Sequence, residues 1–183
     1  MVDLSTSYLG LALKNPLVPS SSPLTGALDS ARRLEDAGAA AIVMPSLFEE
    51  EIVAEQERLD RFFEGQAIGH GEADSFRSLP ADYRSREEAY LATLQSLKSS
   101  LSIPVLASLN GVTPGGWLDH ASDLQEAGAD ALELNVYYLA GDPRETGAQV
   151  EQRYVDVASA LAAHVTIPFG MKLTPQLTAP IAL

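Results

Sequence analysis

The chain has 183 residues, no cysteine, and 25 acidic against 12 basic side chains, for a formal charge of −13. These counts exclude disulfides, thiolate metal ligands and a thiol base. The absence of a basic run argues against nucleic-acid backbones and anionic membranes as partners. A hydrophobic content of 46% suffices for one buried core. No apolar run approaches the ~20 residues of a membrane span, and Met1-Val2-Asp3-Leu4-Ser5 lacks the basic-then-apolar pattern of a signal peptide. A cytoplasmic location is therefore the expectation.

Residues 4–14 form two short stretches either side of Leu9-Gly10 and predict a small hairpin. Asn15-Pro16-Leu17-Val18-Pro19 reads as a first buried strand running into Ser20-Ser21-Ser22. Asp29 to Ala37 predicts a helix capped by Asp29 or Ser30 and left through Gly38, followed by a second strand over Ala41 to Met44. Residues 45–84 are acidic at Glu49, Glu50, Glu51, Glu55, Glu57 and Asp60, then glycine-rich at Gly65, Gly69 and Gly71. That length exceeds an ordinary strand-to-helix connection and reads as a long loop, lid or insertion.

Ser85-Arg86-Glu87-Glu88 is a capping box. It opens a helix with Leu91, Leu94 and Leu101 on one side and Lys98 near its end, where a cation suits the dipole. Val105 to Leu109 is the third strand. Trp117, Ala121 and Leu124 fall at i, i+4, i+7 on a helix that ends at Gly128, and Ala131 to Val136 is the fourth strand. Thr146-Gly147-Ala148-Gln149 is a second capping box. Its helix stacks Val150, Tyr154, Val157 and Leu161, and Phe169 to Leu173 is the fifth strand.

Two phrases recur. Glu35-Asp36-Ala37-Gly38 and Glu126-Ala127-Gly128 each lead from a helix into an apolar strand, and Ser102-Ile103-Pro104 returns as Thr166-Ile167-Pro168. Strict alternation of this kind implies parallel strands joined by right-handed crossovers. The fold class is α/β, a partial (βα)8 TIM barrel of about five parallel strands and four helices behind an N-terminal hairpin. A closed barrel takes roughly 250 residues, so residues 1–183 are expected to be a single truncated barrel domain with two open edges, a liability for self-association.

Ligands of parallel α/β folds bind at the carboxyl ends of the strands. The polar residues there are Ser20, Ser21, Ser22, Ser46, Asn110, Asn135, Lys172 and Thr174. An ammonium at a barrel mouth normally answers an anionic or electron-rich ligand. The histidines His70, His120 and His164 have no ligand spacing, so no metal is expected. Glu49, Glu50 and Glu51 read as a solvated charged face.

Three segments carry a resemblance: Asn15-Pro16-Leu17-Val18-Pro19-Ser20-Ser21, Glu133-Leu134-Asn135, and Pro168-Phe169-Gly170-Met171-Lys172-Leu173-Thr174-Pro175. In order and spacing they resemble the dihydroorotate dehydrogenases, particularly the soluble kind, from residue 2 to about 175. The resemblance implies a flavin mononucleotide (FMN) barrel that oxidises dihydroorotate to orotate in pyrimidine synthesis, present here as its amino-terminal portion. It implies flavin contacts from Ser20, Ser21 and Ser46, a flavin or substrate contact from Asn135, and Lys172 beside the N1–O2 edge of the ring, where a cation stabilises the reduced anion.

Against the family pattern, the flavin side is partly kept and the orotate side is largely rewritten. Met44-Pro45-Ser46 stands where the family has Thr-Lys-Ser, and Tyr138 occupies the position of the family's base, so the catalytic base is left unassigned. A phenol with an ordinary pKa of about 10 is a poor base at neutral pH. Asp74-Ser75-Phe76-Arg77-Ser78-Leu79-Pro80 only loosely matches the substrate-contacting segment. Weak FMN binding by this chain alone is expected, because barrels of this type hold the cofactor phosphate after strands seven and eight. Two other readings remain: a non-catalytic half-barrel that binds a small molecule or dimerises, and a Schiff-base lyase using Lys172.

Overall fold

The computed structural model describes residues 2–67, 79–111, 114–136, 138–174 and 177. Thr6–Tyr8 (β1) and Leu11–Leu13 (β2) pair antiparallel around Leu9 and Gly10, whose φ angles of 50° and 75° give the doubly left-handed turn that suits a two-residue hairpin. The next four strands, Ile42–Phe48 (β3), Val105–Asn110 (β4), Ala131–Asn135 (β5) and Phe169–Lys172 (β6), form one parallel sheet in sequence order. Leu28–Asp36 (α1), Glu49–Ala67 (α2), Arg86–Ser100 (α3), Pro114–Glu126 (α4) and Gly147–His164 (α5) are its helices. The arrangement, among the described residues, is an α/β fold of one four-stranded parallel sheet with five helices.

Four expectations need correction. The Asn15–Pro19 stretch is not a strand. Leu17 and Pro19 accept hydrogen bonds from Ala40 and Val43, but Pro16 and Pro19 have no N–H to return, and Leu17 is 64% exposed. Among the described residues the parallel sheet therefore has four strands rather than five. Residues 45–84 are not all loop, because β3 continues to Phe48 and α2 follows at once, making five helices rather than four. Glu49, Glu50 and Glu51 are the first turn of α2, where carboxylates complement the helix dipole. Nor are these acids simply solvated: Glu49 is buried, and Glu51 pairs with Arg86 at 2.8 Å. The segment at Gly69 and Gly71 lies outside the described residues. Finally, α1 begins after Ala27 without a side-chain cap, and the Ser30 hydroxyl turns back to the carbonyls of Leu24 and Ala27.

Both predicted capping boxes are present. Ser85 accepts from the Glu88 N–H at 3.2 Å while Glu88 accepts from the Ser85 N–H at 2.9 Å, and Thr146 and Gln149 repeat the exchange. Among the described residues no helix is long and apolar enough to cross a membrane.

Alternation along the strands sorts two cores. Ile42, Met44, Leu47, Val105, Ala107, Leu109, Leu132 and Leu134 face the helices and pack with Leu94, Leu97, Trp117, Leu124, Tyr154 and Leu161. The opposite face of the sheet carries an apolar cluster at its amino-terminal end. There Val43, Leu106 and Ala131 pack with Leu13, Ala40 and Ala41, and with Leu9 and Leu11 of the hairpin. The hairpin thus plugs one end of the inner face, and Ser46, Ser108, Asn135 and Lys172 lie toward the other.

The same amino-terminal end is laced by hydrogen bonds that explain the sequence repeat. Glu35, at the end of α1, accepts from the N–H and hydroxyl of Ser102 at 2.8 and 2.6 Å. Gln125, at the end of α4, accepts from the N–H and hydroxyl of Thr166 at 2.6 and 3.1 Å, and from the Ile167 N–H. Between them, Lys98 of α3 reaches Asp130, which also accepts from the Val105 N–H at 2.7 Å. Glu35 opens one copy of the first phrase and Gln125 immediately precedes the other, and each bonds to a copy of the second phrase.

Candidate functional site

Register places Ser46 on β3, Ser108 on β4, Glu133 on β5 and Gly170 on β6 in one row across the inner face, directly above the apolar plug. Asn135 and Lys172 pair in the next row up. The Ser46 and Ser108 hydroxyls lie 2.8 Å apart, and the Asn135 amide donates to Ser108 Oγ at 3.1 Å and to Ser46 Oγ at 3.3 Å. Ser108 and Asn135 are buried, so the network satisfies groups that would otherwise be costly to desolvate.

Lys172 Nζ lies 2.7 Å from Glu133 Oε1, with the lysine side chain 45% and the glutamate 10% exposed. The contact is an ion pair by distance, but that buried oxygen accepts no hydrogen bond of good angle. The lysine thus leaves part of the carboxylate's acceptor capacity unused. Schiff-base chemistry needs a desolvated amine, and the Lys172 side chain is 45% exposed.

The bulge in β3 between Val43 and Ser46 shapes this row. Pro45 has no N–H for the ladder, and the Tyr90 hydroxyl from α3 accepts from the Ser108 N–H at 3.1 Å and donates to the Ser108 carbonyl at 3.3 Å. Burial raises the Tyr90 phenol above its ordinary pKa, and the Glu133 charge adds to the shift. Gly26 fits closely against the same bulge: a Cβ there would lie 2.6 Å from Pro45 Cγ.

Ser20 and Glu133 share a cavity of about 350 Å³, walled by Thr6, Tyr8, Val18 and Val43. Ser21 does not line it, and Ser22 instead closes a single 3-10 turn at Pro23–Thr25. Tyr138 stands apart from the row. Its hydroxyl donates to Glu145 at 2.8 Å and its ring lies 4.3 Å beneath the Arg153 guanidinium, which pairs with the same carboxylate. The Glu145 hydrogen bond raises the Tyr138 pKa, with burial adding to it. The loosely matching segment 74–80 lies outside the described residues except at Leu79 and Pro80.

Sequence reasoning therefore names Ser46, Asn135 and Lys172, which converge, and Ser20, which shares a cavity with Glu133. It passes over Ser108 and Glu133 as members of the row. The signal was available: Leu106-Ala107-Ser108-Leu109-Asn110 and Ala131-Leu132-Glu133-Leu134-Asn135 each turn polar at alternate positions toward the strand's carboxyl end.

No protein-family model matches the chain. It is 30% identical over 93% of its length to a protein of Aeropyrum pernix provisionally named dihydroorotate dehydrogenase A (fumarate), covering 53% of that relative. It is 31% identical over 92% of its length to the dihydroorotate dehydrogenase B (NAD(+)) catalytic subunit of Methanocella arvoryzae, covering 52% of it. A third relative, subunit PreA of the NAD-dependent dihydropyrimidine dehydrogenase of Escherichia coli K12, is 28% identical over 96% of this chain and is covered over 43%. The chain spans about half the length of the curated relatives it matches. Among solved structures, dihydrodipicolinate synthase of Bacillus anthracis, a TIM-barrel protein, superposes with a TM-score of 0.50 at 14% identity, over 93% of this chain and 46% of that one. That likeness bears on the fold alone.

Proposed function

We propose that this chain, a homologue of the dihydroorotate dehydrogenases, supplies the ring-binding side of a flavin-dependent oxidoreductase acting on a CH–CH bond. The observation that carries the reading is the polar row: Ser46, Ser108, Asn135 and Lys172 come from four neighbouring strands, at the carboxyl end, above an apolar plug. Names among the relatives point to dihydroorotate and a dihydropyrimidine, rings whose saturated C–C bond becomes a double bond on oxidation. Dihydroorotate is the substrate this reading favours.

The residues present suit the ring of FMN better than its phosphate. One ammonium, held by one carboxylate, matches a polar ring edge where charge develops, whereas a dianionic phosphate calls for several unopposed donors. FMN, when bound, supplies the two-electron acceptor. Around it, Lys172 would hold positive charge at the mouth, Asn135 and Ser46 would orient the ring edge, and Glu133 would fix the position of the lysine. Ser20 would close the side nearest the hairpin. Tyr138 keeps its proton on a hydrogen bond to Glu145 and is not offered as the base.

The test is fluorescence titration with riboflavin and FMN in parallel. Both are expected to bind weakly and alike, since the phosphate gains nothing here, and Lys172→Ala should abolish both. Tight stoichiometric FMN binding would overturn the division between ring and phosphate. Riboflavin binding unchanged in Lys172→Ala would remove the reading of the row.

A further inference from the structure

We propose that Glu87, His120 and Asp123 form a site for a first-row divalent cation, Zn2+ by its donor set, on the outer helical layer. Glu87 sits in the first turn of α3, and His120 and Asp123 lie three residues apart on α4, where i, i+3 spacing puts both on one face. One donor atom from each lies within 4.8 Å of the other two. His120 Nδ1 and Glu87 Oε1 are 2.6 Å apart, with side chains only 13% and 26% exposed. Two helices thus deliver an imidazole and two carboxylates to one point, away from the inner face.

The donor chemistry narrows the ligand. Imidazole with carboxylates suits Zn2+ and its neighbours rather than soft Cu(I), and the chain has no cysteine to compete for the ion. Donors bonded to Zn2+ at about 2.1 Å lie roughly 3.4 Å apart in a tetrahedron. The shorter His120–Glu87 contact is a hydrogen bond that the cation would replace. Three protein ligands leave room for water. The net charge of −13 raises the local concentration of any cation but cannot select one point on the surface. The bound ion would clip α3 to α4 and stabilise the fold by mass action.

The test is calorimetric titration of the full chain with Zn2+, with Mg2+ as comparison, on wild type, His120→Gln and Asp123→Asn. One Zn2+ equivalent is expected, with affinity falling at least about tenfold in each variant, and with Mg2+ failing to compete. The near-UV signal of Trp117, the only tryptophan and buried on α4, reports whether each variant keeps its packing. Should His120→Gln lose that signal, Asp123→Asn alone decides. Several weak equivalents displaced by Mg2+, or Zn2+ binding unchanged in a folded variant, would mean an adventitious ion only and overturn the site.

Discussion

The two ends of the parallel strands differ in what their side chains are for. At the amino-terminal ends, Val43, Leu106 and Ala131 are sealed by the hairpin, and Glu35, Gln125 and the Lys98–Asp130 pair tie helices to the loops that start strands. At the carboxyl ends, the same inner face carries Ser46, Ser108, Glu133, Asn135 and Lys172, bonded to one another rather than to the scaffold's helices. One end spends its polar groups on closing the backbone. The other holds polar groups that, on the proposed reading, a ligand would exchange for its own. This division is the one expected of barrel folds, where the carboxyl-end face carries chemistry and the opposite face stability.

The sharpest way to break the comparison is Leu106→Ala in the plug. Leu106 is fully buried, so the loss should be about 2–5 kcal/mol in urea unfolding. A loss below about 1 kcal/mol would mean that the hairpin seals nothing.

Gly38→Ala should come next. Gly38 leaves α1 at φ 104° with nothing within 4 Å of an added Cβ, so the cost is purely conformational, about 1–2 kcal/mol by thermal or urea unfolding.

Asn135→Ala, at the opposite end, should cost no more than about 1 kcal/mol, because Ser46 and Ser108 still satisfy each other. Riboflavin affinity should fall in the same variant. Stability loss without a binding loss would make the row structural and erase the contrast.

The smallest effect separates two members of the repeat. The Ser102 hydroxyl, and then its N–H, hold the Glu35 carboxyl below its ordinary value of 4.5. Its contribution is therefore complete above about pH 4.5 and is lost as pH falls through the lower folded-state value. Gln125 makes the equivalent bond and does not titrate. Glu35→Gln should flatten the acid limb of the stability curve below about pH 4.5, measured by Tm against pH. An unchanged acid limb would show that the Glu35 bond contributes nothing.

Much of the scaffold was legible in sequence because its signals are local. Capping boxes at Ser85 and Thr146, left-handed glycines at Gly38 and Gly128, and the Trp117, Ala121, Leu124 stripe each need only a few neighbouring residues. The hairpin at Leu9-Gly10 was legible for the same reason. By contrast, α2 was hidden: its acidic first turn resembles a solvated surface, and the glycines beyond it drew the whole segment toward loop. The Asn15–Pro19 stretch has a strand's apolar pattern, but two prolines deny it the donors a ladder requires.

The sequence by itself determined most of the alternating α/β order, the capped starts of α3 and α5 and the polar ends of the strands, since each follows from periodicity and capping within a short window. Only the tertiary structure decided that Ser46, Ser108 and Asn135 share one network, that Glu133 holds Lys172, and that Glu87 meets His120. Those pairings depend on strand register, on the one-residue bulge in β3 and on the packing of α3 beside α4. A single-residue slip in a strand would turn each of its side chains to the other face, and no local pattern encodes that choice.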